Sequence, residues 1–389
     1  MLKKMRISLY SLFIGIAAFG CSISLHCMDV DPRSPQKDTV LFNPNIQPTV
    51  ITELAAALNA DEAHVNVDAF ILTDSTIIDL LIDIHTKHPG NVSVHMHKSN
   101  ANNKTPIQKL ESAGITVIKS AQHTKRLSIQ YKQADETVWH RRTIAGSYNL
   151  SKSAQRNKEM MVIEYNDSPA HNAHVKSHQQ GTKRTKKHEL ETLDATPAKK
   201  TIIDNAEHDL HASLAPRIAN TNTGDSIYFA SMNYGHAGLH AALVEAAKRK
   251  VLVHMLLDTD ATSQENIPLL DELTHHGAHI VLPTGQFKVK EGKTLLEKLG
   301  IFHQKYLVRV RAGKILTCVS TANATKHAEH DFNVSTYYPN QTDMGNAIIA
   351  EHTKLALQGV TYQDFKNSGA QLPKRKSSKK KIALSGNNE

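Results

Sequence analysis

Cysteine is scarce in this 389-residue chain, with Cys21, Cys27 and Cys318 its three thiols. The first two fall in the N-terminal segment, so a processed chain would keep Cys318 alone, which excludes an intramolecular disulfide framework. Aromatic residues make up 5% of the chain and Trp139 is its one tryptophan. That is too few for a platform on which the bases of single-stranded nucleic acid would stack. Apart from Ile7 to Gly20, no apolar run is long enough to span a bilayer. Histidine is plentiful, at 24 residues. Yet His171, His174, His178 and His188 lack the spacing of a metal site, so neither a metal nor another cofactor is expected.

What is present is a globular composition, 40% hydrophobic and 21% charged. The length allows two domains or one bilobal unit. The net charge of +9 is unevenly placed. Lys3, Lys4 and Arg6 give +3, residues 166–200 give +3 and the tail 367–389 gives +5, which leaves about −2 for everything else. The body is therefore near neutral, and the basic pI does not identify a substrate. The run from Lys374 to Lys381 suits a solvated tail, with anionic lipid or nucleic acid as its alternative partners.

Residues 1–28 have the form of a targeting segment, a basic start followed by a short apolar stretch. Ala18-Phe19-Gly20-Cys21 is a weak lipobox with Cys21 as the residue to be lipidated; cleavage near Cys27 or an uncleaved anchor are the alternatives. The expected location is outside the cytoplasm: secreted, periplasmic or membrane-associated.

The remaining chain repeats itself. In the first copy, His64 to Ile71 alternates as a strand, Ile77 to Ile84 has helical spacing, and Val92 to Met96 is the next strand. In the second, Ser226 to Ser231, Leu239 to Lys248 and Lys250 to Leu257 follow the same order. Val94-His95-Met96 and Val253-His254-Met255 are aligned by this reading, with both histidines structural. Each copy continues through a helix closed by Gly114 or Gly277 into a strand, Ile115 to Ile118 or His279 to Leu282. Such alternation predicts an α/β fold of two pseudo-twofold-related halves, 45–165 and 206–366, joined by a polar basic linker, 166–205, with a basic tail at 367–389.

After the last strand, each copy carries the same constellation. The first has His123-Thr-Lys125, Gly146-Ser147-Tyr-Asn149 and Glu159; the second has His303-Gln-Lys305, Ser320-Thr321-Ala-Asn323 and Asn333. Asn149 to Glu159 and Asn323 to Asn333 both span ten residues. One His-x-Lys carries no information; two at matching points of a repeat carry a great deal. The stretches between Lys and Asn predict hairpins, Arg126–Gln130 with Val138–Ile144 and Tyr306–Val310 with Lys314–Val319 around Ala312-Gly313.

On these residues the chain resembles the phospholipase D superfamily, over about 45–366. The family motif adds an Asp after four intervening residues; here those positions are Gln130 and Val310, and neither is acidic. The resemblance implies two α/β halves with facing motifs. It also implies metal-independent phosphodiester chemistry, in which one His attacks phosphorus while the other protonates the leaving oxygen and then activates water. His123 and His303 would fill these roles, with the nucleophile unassigned. Lys125, Lys305, Asn149 and Asn323 would bind the nonbridging oxygens, and Ser147 and Thr321 would add hydroxyl donors. Glu159, Asn333 and Asp331 are candidates to orient the histidines.

The function so implied is a phospholipase D releasing a headgroup to leave phosphatidic acid. The leader, the two half-sites in one chain and the uncharged body favour lipid, and a monomer. A metal-independent nuclease using the basic segments, a phosphatidyltransferase and a phosphate-binding pseudoenzyme are the alternatives.

Overall fold

The computed structural model describes residues 37–121, 123–165, 201–204, 210–263, 265–290, 292–325, 328 and 333–370. The expected leader with Cys21, the four-histidine cluster, Asp331, the linker up to residue 200 and the tail beyond 370 lie outside the described residues.

The first half runs β1 (Thr39–Phe42), α1 (Ile46–Asn59), β2 (Glu62–Ala69), α2 (Ser75–Lys87), β3 (Val92–His97), α3 (Lys104–Ser112), β4 (Thr116–Ser120), β5 (Arg126–Lys132), β6 (His140–Gly146) and β7 (Met160–Tyr165). The second runs β8 (Thr201–Asp204), α4 (Leu210–Ala219), β9 (Ser226–Ser231), α5 (Ala237–Lys248), β10 (Leu252–Leu257), α6 (Ile267–His275) and β11 (His279–Leu282). A hairpin of β12 (Gly285–Lys290) and β13 (Lys293–Lys298) is inserted before β14 (Tyr306–Arg311), β15 (Lys314–Ser320) and β16 (Val334–Pro339). Then come α7 (Thr342–Gln358), β17 (Val360–Thr361) and α8 (Tyr362–Asn367).

The sheets are ordered β1-β7-β6-β5-β2-β3-β4 and β17-β11-β10-β9-β14-β15-β16-β8. Element by element the second repeats the first: β1 flanks β7 as β8 flanks β16, and the parallel β2-β3-β4 matches β9-β10-β11. The fold is thus the bilobal α/β arrangement that the repeat predicts, and the repeat extends beyond the boundaries read from sequence. β1 lies before residue 45, and residues 201–204, assigned to the linker, form the edge strand β8. Each is four residues long, too short for its alternation to register.

Local chemistry accounts for the elements that aim the site. Asp74 caps α2 by accepting from the Thr76 amide, and the helix buries Ile77, Ile78, Leu81 and Ile84. The β14–β15 hairpin closes on Ala312 and Gly313 with φ of 45° and 74°, the left-handed pair that a two-residue turn requires. β7 is apolar from Met160 to Ile163, where both of its faces are covered. Met161 and Ile163 join the first half's core, whereas Met160 and Val162 pack with Phe302, Tyr306 and Val308 of the second half. Each such side chain contributes about 1.5–3 kcal/mol of burial, so β7 fastens the halves together where the motifs meet.

The Val-His-Met likeness is displaced in three dimensions. Asp68 pairs with Arg126 and His95, whereas Ala230 pairs with Tyr306 and Leu256. Counted from Lys125 and Lys305, His95 therefore corresponds to Leu256, and His254 lies two residues earlier. His95 lies 3.5 Å from Asp68, and His254 stacks on Tyr228. Among the described residues no helix is long and apolar enough to cross a membrane.

Candidate active site

Each His-x-Lys motif enters the strand that follows it. Lys125 precedes β5 and Lys305 precedes β14, and both ammonium groups fold back onto their own histidine's carbonyl, at 2.6 Å and 2.7 Å. The Gly146 amide donates to Lys125 O and the Ser320 amide to Lys305 O, so the start of each Ser/Thr-x-Asn turn is tied to its lysine. Glycine is required at 146, because a Cβ there would lie 2.3 Å from the Met160 carbonyl oxygen.

The halves meet through the backbone beside these motifs. Lys158 N donates to Ile301 O at 2.8 Å, and His303 N donates to Lys158 O at 2.9 Å. Phe302 N donates to the buried carboxylate of Asp258 at 2.7 Å. The end of the first motif therefore holds the second in place.

The histidine partners cross between halves. His303 Nδ1 lies 2.8 Å from Glu159 Oε2, and His123 Nδ1 lies 2.8 Å from Asn333 Oδ1. Each partner is in turn fixed by the hydroxyl of its own half: Ser147 donates to Glu159 at 2.6 Å, and Thr321 donates to Asn333 at 3.1 Å. Asn157 donates to Glu159 Oε1 at 3.0 Å, and Asn333 donates to Ala328 O at 2.9 Å. These contacts settle the orientation of Asn333, whose oxygen accepts from Thr321 and leaves His123 Nδ1 as the donor. His123 is therefore the Nδ1–H tautomer with a lone pair on Nε2.

Ser147 and Thr321 are buried and turn their hydroxyls to Glu159 and Asn333, the partners of the histidines. Phe70 escaped notice in the sequence. Its ring lies 4.7 Å from that of His123, and Lys125 Nζ lies 5.1 Å from its centre. Asn149 and Asn323 occupy matching turns, where the amides of Ser151 and Thr325 donate to their carbonyls. Each side chain has a buried Oδ1 with no hydrogen-bond partner among the described residues. Gln130 and Val310 sit well inside β5 and β14, opposite Arg141 and Ile315.

Electrostatically the two centres differ. Burial pushes His123 well below its ordinary value, and the Lys125 charge acts the same way against the Asn333 bond. Burial lowers His303 too, but there Glu159 opposes it. Burial alone would raise the Glu159 carboxyl; the charge and hydrogen bond of His303, with Lys305 and Ser147, overcome that and hold it low. Lys305 is pushed down by burial to about 7, with Glu159 and Asp258 resisting. The arrangement offers one histidine held neutral beside one paired with a carboxylate, flanked by two buried lysines.

No protein-family model and no curated protein sequence matches the chain. Solved structures do. Polyphosphate kinase from Porphyromonas gingivalis superposes with a TM-score of 0.57 at 12% identity, over 80% of this chain and 46% of its own. Phosphatidylserine synthase from Haemophilus influenzae superposes with a TM-score of 0.56 at 8% identity, over 85% and 89%. The chain has a phospholipase D-like fold. A phospholipase D family member, Nuc from Salmonella typhimurium, is matched over 42% of this chain and 97% of its own, with a TM-score of 0.35 and 17% identity. This chain spans just under half the length of the polyphosphate kinase. At these identities the phospholipase D-like likeness is one of fold.

Proposed function

We propose that the chain is a phosphodiesterase of the phospholipase D type that works through a phosphohistidine without needing a metal. The crosswise pairing of the two histidines carries this reading, because it engages the Nδ1 of each ring and turns each Nε2 away from its partner, with Lys125 Nζ 3.3 Å from that of His123. Burial lowers both rings, and only His303 has a carboxylate to oppose it. His123, neutral and with its lone pair on Nε2, is the nucleophile. His303, whose imidazolium Glu159 supports, is the acid.

In the first step His123 Nε2 bonds to phosphorus, the bond to the leaving alcohol breaks, and the proton on His303 Nε2 passes to the departing oxygen. In the second, neutral His303 takes a proton from water, the water oxygen bonds to phosphorus and His123 leaves. Lys125 and Lys305 offset the charge on the nonbridging oxygens, and Asn149 and Asn323 supply amide contacts. Bound phosphate restores the Lys305 proton that burial disfavours.

The finer substrate is a phospholipid headgroup ester, with phosphatidic acid as product. The near-neutral body supports it, as does the phosphatidylserine synthase likeness, which spans 89% of that enzyme. The test is turnover of the full chain on phosphatidylcholine vesicles and on plasmid DNA, both in EDTA, beside a His123→Ala/His303→Ala control. Lipid cleavage lost in the control is expected. DNA cleavage lost in the control would move the chain to the nucleases, and no turnover on either would refute the catalytic reading.

A further inference from the structure

A cavity of about 430 Å³ opens at the ends of β3 and β4, lined among others by Lys98, Ser99, Asn100, Lys104, Glu111 and Lys119. Its size is within the range of ligand sites, and it lies at the C-terminal ends of parallel strands, where α/β sheets bind ligands. Its charge is one-sided. Glu111 is the one acid in the lining and is taken by Lys119 at 2.8 Å. Neither Lys98 nor Lys104 has an acidic partner among the described residues, and the first turn of α3 has no acid.

The cavity wall is linked to the nucleophile through two rings. Lys119 stands four residues before His123. Lys98 follows His97, whose ring meets Phe70 at 5.0 Å, and Phe70 meets His123 at 4.7 Å. Asn103, fully buried, donates to the carbonyls of Phe70 and His97 and accepts from the Leu72 amide, which bolts the cavity wall to the Phe70 loop. The corresponding loop of the second half has the opposite sign. Strand register makes Asp258 the counterpart of His97, and Asp258 and Asp260 share one cation, Lys298, at 2.6 Å and 2.9 Å. Of these two matching loops, the one on the His123 side is therefore the one with positive charge lacking an acidic partner among the described residues.

We propose that Lys98 and Lys104, with Lys119 behind them, form an anion subsite that takes a second phosphate group of the substrate while His123 engages the scissile diester. The inference rests on the phosphodiesterase reading and sharpens it: the preferred substrate carries two phosphates, as in a bisphosphate lipid such as cardiolipin or in adjacent units of a nucleic acid backbone.

Two measurements on the full chain in EDTA test it. The first is calorimetric binding of inorganic pyrophosphate, which needs no turnover. Lys98→Ala/Lys104→Ala should weaken it about tenfold, roughly fivefold or less per exposed lysine, and less so in high salt. Lys109→Ala, on the same helix but paired with Asp79, should not. The second is the ratio of kcat/KM for a nucleotide p-nitrophenyl ester bearing a second phosphate to that for bis(p-nitrophenyl) phosphate, and likewise for cardiolipin over phosphatidylcholine. The double variant should lower one of these ratios about tenfold, and the ratio that moves identifies the source. Pyrophosphate binding equal in the wild type and the double variant would overturn the subsite even if turnover is found. Reduced binding without turnover would keep the subsite and refute the phosphodiesterase.

Discussion

The two halves share one chain path and a matching pair of buried lysines, Lys125 and Lys305, but differ at other buried charges. Asp68 and Arg126 form a buried ion pair in the first half, at 3.0 Å, with His95 beside them. The same three positions in the second half are Ala230, Tyr306 and Leu256, which pack as a hydrophobic interface. Glu159 in the first answers to Asn333 in the second, and the basic loop after β3 answers to two acids after β10 that share Lys298. A duplicated frame thus supplies symmetry of position, and substitution on it supplies asymmetry of proton affinity. Such asymmetry biases which histidine carries the proton at a given pH, and so which one attacks and which one donates.

The sharpest break of the symmetry should come from the histidines. Either alanine variant should lose about 10,000-fold or more in turnover of a natural ester. They should part company on bis(p-nitrophenyl) phosphate, whose leaving group needs no proton: His303→Ala keeps a p-nitrophenol burst in rapid-quench kinetics and His123→Ala loses it.

Next in size is the buried pair. Asp68→Ala strands Arg126 and should cost about 3–5 kcal/mol in urea unfolding. Adding Arg126→Tyr, which imitates Ala230 and Tyr306, should recover part of that loss.

Smaller is the exchange of partners. Glu159→Gln should lower kcat/KM by roughly 10–100-fold and move the alkaline limb of the pH profile to lower pH, because His303 loses the charge that supports its proton. Asn333→Asp should raise the acidic limb toward neutrality, by making His123 easier to protonate.

The smallest effect concerns Lys305. Its value is about 7 in the folded chain, against an ordinary 10.5. Between those values the unfolded chain binds more protons, so stability rises with pH across that window. Lys305→Met should raise Tm at pH 7 and remove this part of the slope up to pH 9.

Much of this was legible in the sequence because it is periodic or repeated. β9, β11, the β14–β15 hairpin and both His-x-Lys/Ser/Thr-x-Asn constellations lie where the spacing puts them. The edge strands β1 and β8 were not, since four residues carry little pattern, nor was the β12–β13 hairpin, which has no counterpart in the first half. The crossing of Glu159 to His303 and of Asn333 to His123 could not be read either. Ten-residue spacing places a partner after each motif but says nothing about which half it reaches, a matter that β7 and the Lys158–His303 contacts decide. The hydrogen bonds of Ser147 to Glu159 and of Thr321 to Asn333 were equally hidden, because a hydroxyl beside a motif does not name its acceptor.

The central claim is the division of labour between the two histidines, and the most direct test is to see which one carries phosphate. The full chain would be mixed with bis(p-nitrophenyl) phosphate in EDTA, quenched in alkali and mapped by peptide mass spectrometry, with His303→Ala used to accumulate the intermediate. The adduct is predicted on His123, stronger in His303→Ala and absent in His123→Ala. Phosphate on His303, or turnover with no adduct on either ring, would contradict the account.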